Sequence, residues 1–215
     1  MKIVVKVGGS ILFDDFGVKN CYAKKLIPIL EQINKKNQFI LSIGGGKFVK
    51  NYEKNAKKLL PFSKIQESSI KILQANAVLF SNLLNTKPIF NLNEVNKKTN
   101  GVISGICPGR STDANAAICA EIIGADLFVK LTNIDGVYDK DPNVYKNARH
   151  IEKIKFSDLK RILKKKEKND YKLLDAVAID TITKNRIKTV IINGEDPMNL
   201  KKAISGERIG TVIDG

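Results

Sequence analysis

The chain has 215 residues, 43% hydrophobic and 27% charged, which suits a soluble globular protein able to bury a sizeable core. No run approaches the roughly 18 uninterrupted apolar residues of a membrane span, and MKIVVKVGGS reaches glycine too early for a signal peptide. The expectation is a cytoplasmic protein with no membrane partner. The formal charge of +15 comes without tryptophan, with 7% aromatics, and without a zinc-finger, RNP1 or GXXG pattern. No nucleic-acid partner is therefore expected; the charge reflects biased composition or attraction of small anions. Cys21, Cys107 and Cys119 are odd in number and form no metal-spaced pair, which argues against a disulfide framework.

In chain order, KIVVKV (2–7) predicts a strand ending at Gly8. Over 22–36, Leu26, Ile27, Leu30 and Ile33 fall at helical spacing, with Pro28 expected to kink the helix or limit its start. FILSI (39–43) reads as a second strand stopped by glycine, and helices follow over 48–60 and 69–85. KPIFNL (87–92) predicts a further strand. The segment 114–125 is apolar nearly all round and predicts a buried helix. DLFVKL (126–131) is the next strand, and 132–142 a turn-rich loop. Residues 156–168 suggest a basic amphipathic helix fraying into a solvated charge run, followed by a helix at 175–185 and strands at 188–193 and 210–213. His150, the single histidine, is read as a structural loop residue. Val/Ile-rich strands alternating with helices predict a three-layer α/β/α sandwich around a mainly parallel central sheet, with no internal repeat and no break marking separate domains.

Both early strands end in glycine clusters, Gly8-Gly9-Ser10 and Gly44-Gly45-Gly46. Glycines after a strand serve as tight turns, or let backbone N–H groups close on a phosphate at a helix start. Two such turns, one preceded by the strand lysine Lys6, point to a phosphate site. Neither a Walker A sequence nor G-x-G-x-x-G fits, since Val49 occupies the last glycine position. In PGRSTDANAA (108–117), Pro108 and Gly109 make a turn and Arg110 offers a planar fork. Ser111, Thr112 and Asp113 are helix-capping residues or part of an anion site. Lys130 is a second strand lysine, either facing phosphate or snorkelling to the sheet end. Thr132, Asn133, Tyr138 and Asp141 belong to a loop that is either ordinary or ligand-binding.

VKVGGS, IGGGK, the stretch from Pro108 to Pro142 and YKLLDAVAID resemble, in order and spacing, the amino acid kinase superfamily, and within it the archaeal-type UMP kinases. The resemblance runs from Lys2 to about Ile213. It implies one domain whose first half, to about residue 125, binds the phosphate acceptor and whose second half binds ATP with Mg²⁺. It also implies UMP as acceptor and a homohexamer built as a trimer of dimers. Lys6 matches the lysine that stabilises the transferring phosphoryl group, and Asp175 an aspartate that organises the cationic and metal environment. Gly8, Gly9, Ser10 and Gly45 match contacts to ATP phosphates, with Lys50 and Lys130 grouped beside them. Thr132, Asn133, Tyr138 and Asp141 match the ATP loop. Gly44, Ile106, Cys107, Pro108, Gly109, Arg110, Ser111 and Thr112 match the UMP turns, with Asp113 alongside.

Three departures bear on the acceptor side. Gln66, with Glu67 beside it, stands where the family carries a ribose-binding aspartate, and Ser69 replaces a glycine. Lys50 replaces an arginine, keeping charge without the fork. The acceptor turn reads Ile106-Cys107-Pro108-Gly109 instead of Thr-His-Pro-Gly. Other readings are a kinase of the same fold acting on another small phosphate or carboxylate, such as isopentenyl phosphate, a non-catalytic nucleotide-binding member, and, remotely, an RNA-binding protein.

Overall fold

The computed structural model describes residues 1–164 and 173–215. Its chain order is β1 (Lys2–Val7), α1 (Gly9–Leu12), α2 (Asn20–Lys36), β2 (Gln38–Ile43), α3 (Gly46–Ala56), α4 (Phe62–Leu83) and β3 (Pro88–Ile89). After a 3₁₀ turn at Leu92–Glu94 come β4 (Gly101–Ile103), α5 (Thr112–Ile123), β5 (Leu127–Thr132), β6 (Val137–Tyr138), β7 (His150–Ile151) and β8 (Lys153–Ile154). The chain ends with α6 (Phe156–Lys164), α7 (Ala176–Lys184), β9 (Thr189–Asn193), α8 (Met198–Ser205) and β10 (Thr211–Ile213). The charge run predicted after α6, from residue 165, lies outside the described residues.

Eight strands form one sheet in the order β3-β4-β2-β1-β5-β9-β10-β8. All its pairings are parallel except β9 with β10. Its central strands are buried on both faces, as expected for a parallel sheet covered by helices. One face, carrying Val4, Ile40, Phe128 and Ile191, packs under α5, α6 and α7. The other, carrying Val5, Leu41, Val129 and Ile192, packs under α2, α4 and α8. Each apolar layer draws on both halves of the chain.

The central strands and the helices α2, α5 and α7 lie within a residue or two of the predicted spans. Pro28 does not interrupt α2; it faces solvent and the helix runs through it, giving up one backbone hydrogen bond. The buried helix predicted at 114–125 is α5, whose alanines and Cys119 let it lie close against the sheet. Helix α4 begins seven residues before the predicted 69, bringing Gln66 and Glu67 into a helix. Strand β3 is only two residues long, and β4, α8 and the β6–β7 ribbon have no counterpart in the sequence reading. His150 is a strand residue, not a loop residue; β7 pairs it with Tyr138.

Candidate active site

Strand periodicity assembles the charged centre. Lys6 on β1 lies between Ser42 on β2 and Lys130 on β5, all in register. Side chains alternate faces along a strand, so these three share the face of Val4, Ile40 and Phe128, the one under α5. Two ammonium groups thus stand side by side near the carboxyl ends of adjacent parallel strands. Their side chains are 5% and 7% exposed, so bulk water gives them little solvation.

Asp113, in the first turn of α5, supplies the missing counter-charge. Its carboxylate accepts a hydrogen bond from Lys130 Nζ and lies 3.4 Å from Lys6 Nζ. Burial pushes the Lys6 pKa below the ordinary lysine range; Asp113 opposes the shift and the neighbouring Lys130 adds to it. Burial alone would raise the Asp113 carboxyl, but the two ammonium groups outweigh it and hold it below its usual range. Lys130 makes the tighter contact, and Lys6 keeps the looser one.

Several hydrogen bonds fix α5 over this row. Ser42 Oγ donates to the Thr112 carbonyl at 3.0 Å. Buried Asn115 donates to the Ser104 carbonyl at 2.9 Å, and Ser104 Oγ donates to the Ile43 carbonyl at 2.7 Å. Ser111 caps α5 by accepting from the Ala114 N–H at 3.0 Å. Asp175 caps α7 in the same way through the Ala178 N–H at 2.9 Å, and accepts from Ser111 Oγ with its other oxygen. Two helix starts, each a source of positive potential, therefore meet beside the lysines.

The glycine turns close the site from above. An ideal Cβ at Gly9 would stand 2.0 Å from the Gly46 nitrogen, so the two turns touch through bare backbone. Gly46 adopts φ +62°, a left-handed conformation that turns β2 into α3. Gly8 donates its N–H to the Leu131 carbonyl at 2.9 Å, fastening the first turn to β5. A Cβ on Gly44 would lie 3.5 Å from Lys6 Nζ, which puts the lysine head directly beneath the second turn. Leu73 of α4 fills the space left by Gly45 and Gly105, linking the second turn to the segment after β4.

Lys6, Gly8, Gly9, Gly44, Gly45, Ser111, Thr112, Asp113, Lys130 and Asp175 thus converge at one end of the sheet. Ser10 is exposed, and its carbonyl accepts from Lys19 Nζ at 2.7 Å. Ile106 and Cys107 are half-buried on the approach to α5, while Pro108, Gly109 and Arg110 form its exposed turn. Thr132 and Asn133 lie at the end of β5. Tyr138 donates its hydroxyl hydrogen to Asp135 at 3.1 Å, and Asp141 accepts from the Asn143 N–H in a turn of its own. Lys50 is exposed on α3. Glu67 is exposed on α4 and pairs with Lys64 at 3.5 Å, leaving Gln66 the more sheltered of the two.

The resemblance assigns Asp175 the organising of the cationic group; the structure adds Asp113, which touches both lysines, while Asp175 accepts from Ser111 and attracts Lys6 at longer range. The sequence leaves Asp113 between helix capping and an anion site, because nothing local shows which strand residues lie under a helix start. Ser42, Ser104 and Asn115, which fix α5, and Asp135, which accepts from Tyr138, carry no local signal for the same reason; the matched positions of Lys6 and Lys130 in similar strands are the available one. A cluster of buried cations, two helix starts and close-packed backbone N–H turns is chemically suited to a polyanion carrying more charge than Asp113 offers.

The model of the amino acid kinase family matches residues 1–87 and 56–193. A uridylate kinase of Methanobrevibacter smithii is 35% identical to the chain, with 99% of each covered. The crystal structure of uridylate kinase from Archaeoglobus fulgidus superposes with a TM-score of 0.88 at 31% identity, covering 99% of this chain and 100% of that one. An isopentenyl phosphate kinase from T. acidophilum shares the fold at TM-score 0.69 and 16% identity, covering 99% of this chain and 100% of that one. With matches that span the chain in both sequence and structure, it belongs to the amino acid kinase family.

Proposed function

We propose that this chain is a cytoplasmic UMP kinase that transfers the γ-phosphoryl group of ATP to UMP, giving UDP for pyrimidine nucleotide synthesis. The observation that carries the reading is the in-register pair Lys6 and Lys130 sharing Asp113 beneath two touching glycine turns. The names of the full-length relatives support UMP as the acceptor.

In this reading residues up to about 125 hold the acceptor and the remainder hold the nucleoside of ATP, while the glycine turns of the first half meet the ATP phosphates. Backbone N–H groups of Gly9, Ser10 and Gly45 face the ATP phosphates, Gly8 anchors the first turn to β5 beside them, and Lys130 and Lys50 add charge. Thr132, Asn133, Tyr138 and Asp141 hold the nucleoside end. Gly44, Ile106 to Thr112 and Gln66 receive UMP, its phosphate meeting Arg110 and the start of α5. Oxygen of the UMP phosphate attacks the γ-phosphorus as the bond to the β-phosphate oxygen breaks, and ADP leaves with that electron pair. Positioning and neutralisation of charge dominate such a transfer. Lys6, loosely held by Asp113, can exchange that carboxylate for phosphoryl oxygens and stay with them through the transfer. Mg²⁺ would enter with ATP, held by phosphate oxygens and water, with Asp175 the carboxylate at hand, and would supply charge neutralisation.

Exposed apolar side chains support self-association. Val78, Leu79 and Leu83 face outward on α4, and Phe48 and Tyr52 on α3. Single exposed apolar residues are ordinary, but several on neighbouring helices mark an interaction surface. We assign it to the contacts of a homohexamer.

Lys6→Met is expected to lower kcat about 10²- to 10³-fold with an unchanged thermal melt; turnover at the wild-type rate would remove Lys6 from the mechanism. Charged Lys6 is the active form, so kcat/KM falls as pH rises through its pKa. Asp113 holds that pKa up and Lys130 holds it down. Asp113→Asn should therefore move the alkaline limb to lower pH and Lys130→Met to higher pH; shifts in one common direction would contradict the arrangement. Coupled ADP-release assays across UMP, CMP, dUMP, AMP and isopentenyl phosphate should favour UMP. Turnover of another acceptor but not UMP would overturn the assignment. Light scattering should give a mass several times the 23.8 kDa chain, reduced in a Leu79→Glu, Leu83→Glu variant; a monomeric wild type would refute the hexamer.

A further inference from the structure

A second cleft, of about 620 Å³, is lined by His150, Glu152, Lys153, Arg208, Ile209, Gly210 and Val212. It lies at the other edge of the sheet, where β8 and β10 run side by side. Lys153 is in register with Val212, and Val212 with Val190. Val190 and Val212 belong to the α2/α8 layer, so Lys153 emerges on that face, opposite the one that carries Lys6 and Lys130. The cleft is thus separate from the paired lysines.

Its chemistry is specific. Lys153, Arg208 and Glu152 are exposed and, among the described residues, none of them takes part in an ion pair. Arg208 and Lys153 offer a fork and a point charge suited to a phosphate. Glu152 offers an acceptor for hydroxyl groups, and Ile209 with Val212 gives an apolar wall for a ring. The volume falls within the range of small-molecule sites. One wall is rigid: a Cβ on Gly210 would stand 2.1 Å from the Ile191 carbonyl oxygen, so this loop is pressed onto β9.

His150 connects the cleft to the loop after β5. Its ring packs against Tyr138 with centroids 5.2 Å apart, and its Nε2 lies 3.3 Å from Thr211 Oγ1. The same Thr211 oxygen accepts from the Val137 N–H at 2.7 Å. Tyr138 in turn holds Asp135, which also accepts from Asn193 Nδ2 at 3.0 Å. A ligand that pulls on His150 therefore acts on a strand pair already joined to Tyr138.

We propose that this cleft binds a sugar phosphate, with Arg208 and Lys153 on the phosphate and Glu152 on the hydroxyls, and that its occupancy alters ATP binding through His150 and Tyr138. The coupling rests on the ATP-loop reading given above; the binding does not. His150 is the single histidine, so its Cε1–Hε1 NMR signal reports on the cleft without overlap from another histidine. Titrating the full chain at constant ionic strength with inorganic phosphate and then ribose 5-phosphate should shift this signal saturably, the sugar phosphate binding more tightly. Arg208→Ala and Lys153→Ala should each weaken binding about tenfold, the loss of one charged hydrogen bond. A linear drift, or a saturable shift kept in both variants, would overturn the site. Equal affinity for the two probes would overturn the sugar contacts. With ribose 5-phosphate present, the KM for ATP should change at least about twofold in wild type and not in Arg208→Ala, given the weak end of typical coupling energies. Binding by NMR without that change would overturn the coupling, and the NMR arm needs no turnover, so its outcome is independent of the kinase assignment.

Discussion

Two lysines side by side in a buried layer would repel one another and drive part of the charge out of the core. Asp113 prevents this by standing over both ammonium groups at the start of α5. A pair of buried cations with one anion leaves an excess of positive charge at the carboxyl end of the sheet, sheltered from water, where electrostatic attraction is strong. That excess is what the site offers to a phosphate. The triad costs stability through desolvation, and a buried charge group of this kind is weak as a structural element. Its value lies in leaving a strong attraction only partly satisfied.

The rest of the fold can be read as support for that arrangement. The parallel sheet places β1, β2 and β5 with their carboxyl ends together, which brings both glycine turns and both lysines to one edge. The small side chains of α5 allow it to sit close enough for Asp113 to reach the strands. Ser42, Ser104 and Asn115 fix its start by hydrogen bonds to backbone, so the carboxylate cannot drift sideways. The Ser111–Asp175 contact joins α5 to α7 and ties the two halves of the chain at the site. Leu73, wedged between Gly45 and Gly105, joins the second glycine turn to the segment after β4 on the α4 side.

The strands 2–7, 39–43 and 188–193 were legible because short, mainly apolar runs rich in β-branched residues that stop at glycine or asparagine have few other solutions. The short elements β4, β6, β7 and β8 were not, since two or three residues carry no periodicity and pair only because a neighbouring strand presents a free edge. Helix α8 begins just after a proline and is short and amphipathic, and 198–205 drew no attention beside the longer patterns. Pro28 does not set the start of α2, because the helix shows that side to solvent and tolerates the missing donor there.

By itself the sequence determined the class of fold, the two glycine turns, the strand lysines and the family, because each is written in local runs of residues. Tertiary structure decided which carboxylate serves the lysines. Residues 6, 113 and 130 become neighbours only through sheet register and the seating of α5, and neither is encoded within any single segment. The same holds for the cleft around His150, whose lining comes from strands β7, β8 and β10 and the loop after α8. Local chemistry names the groups; long-range packing sets the distances at which their charges act, and Coulomb energy depends on those distances.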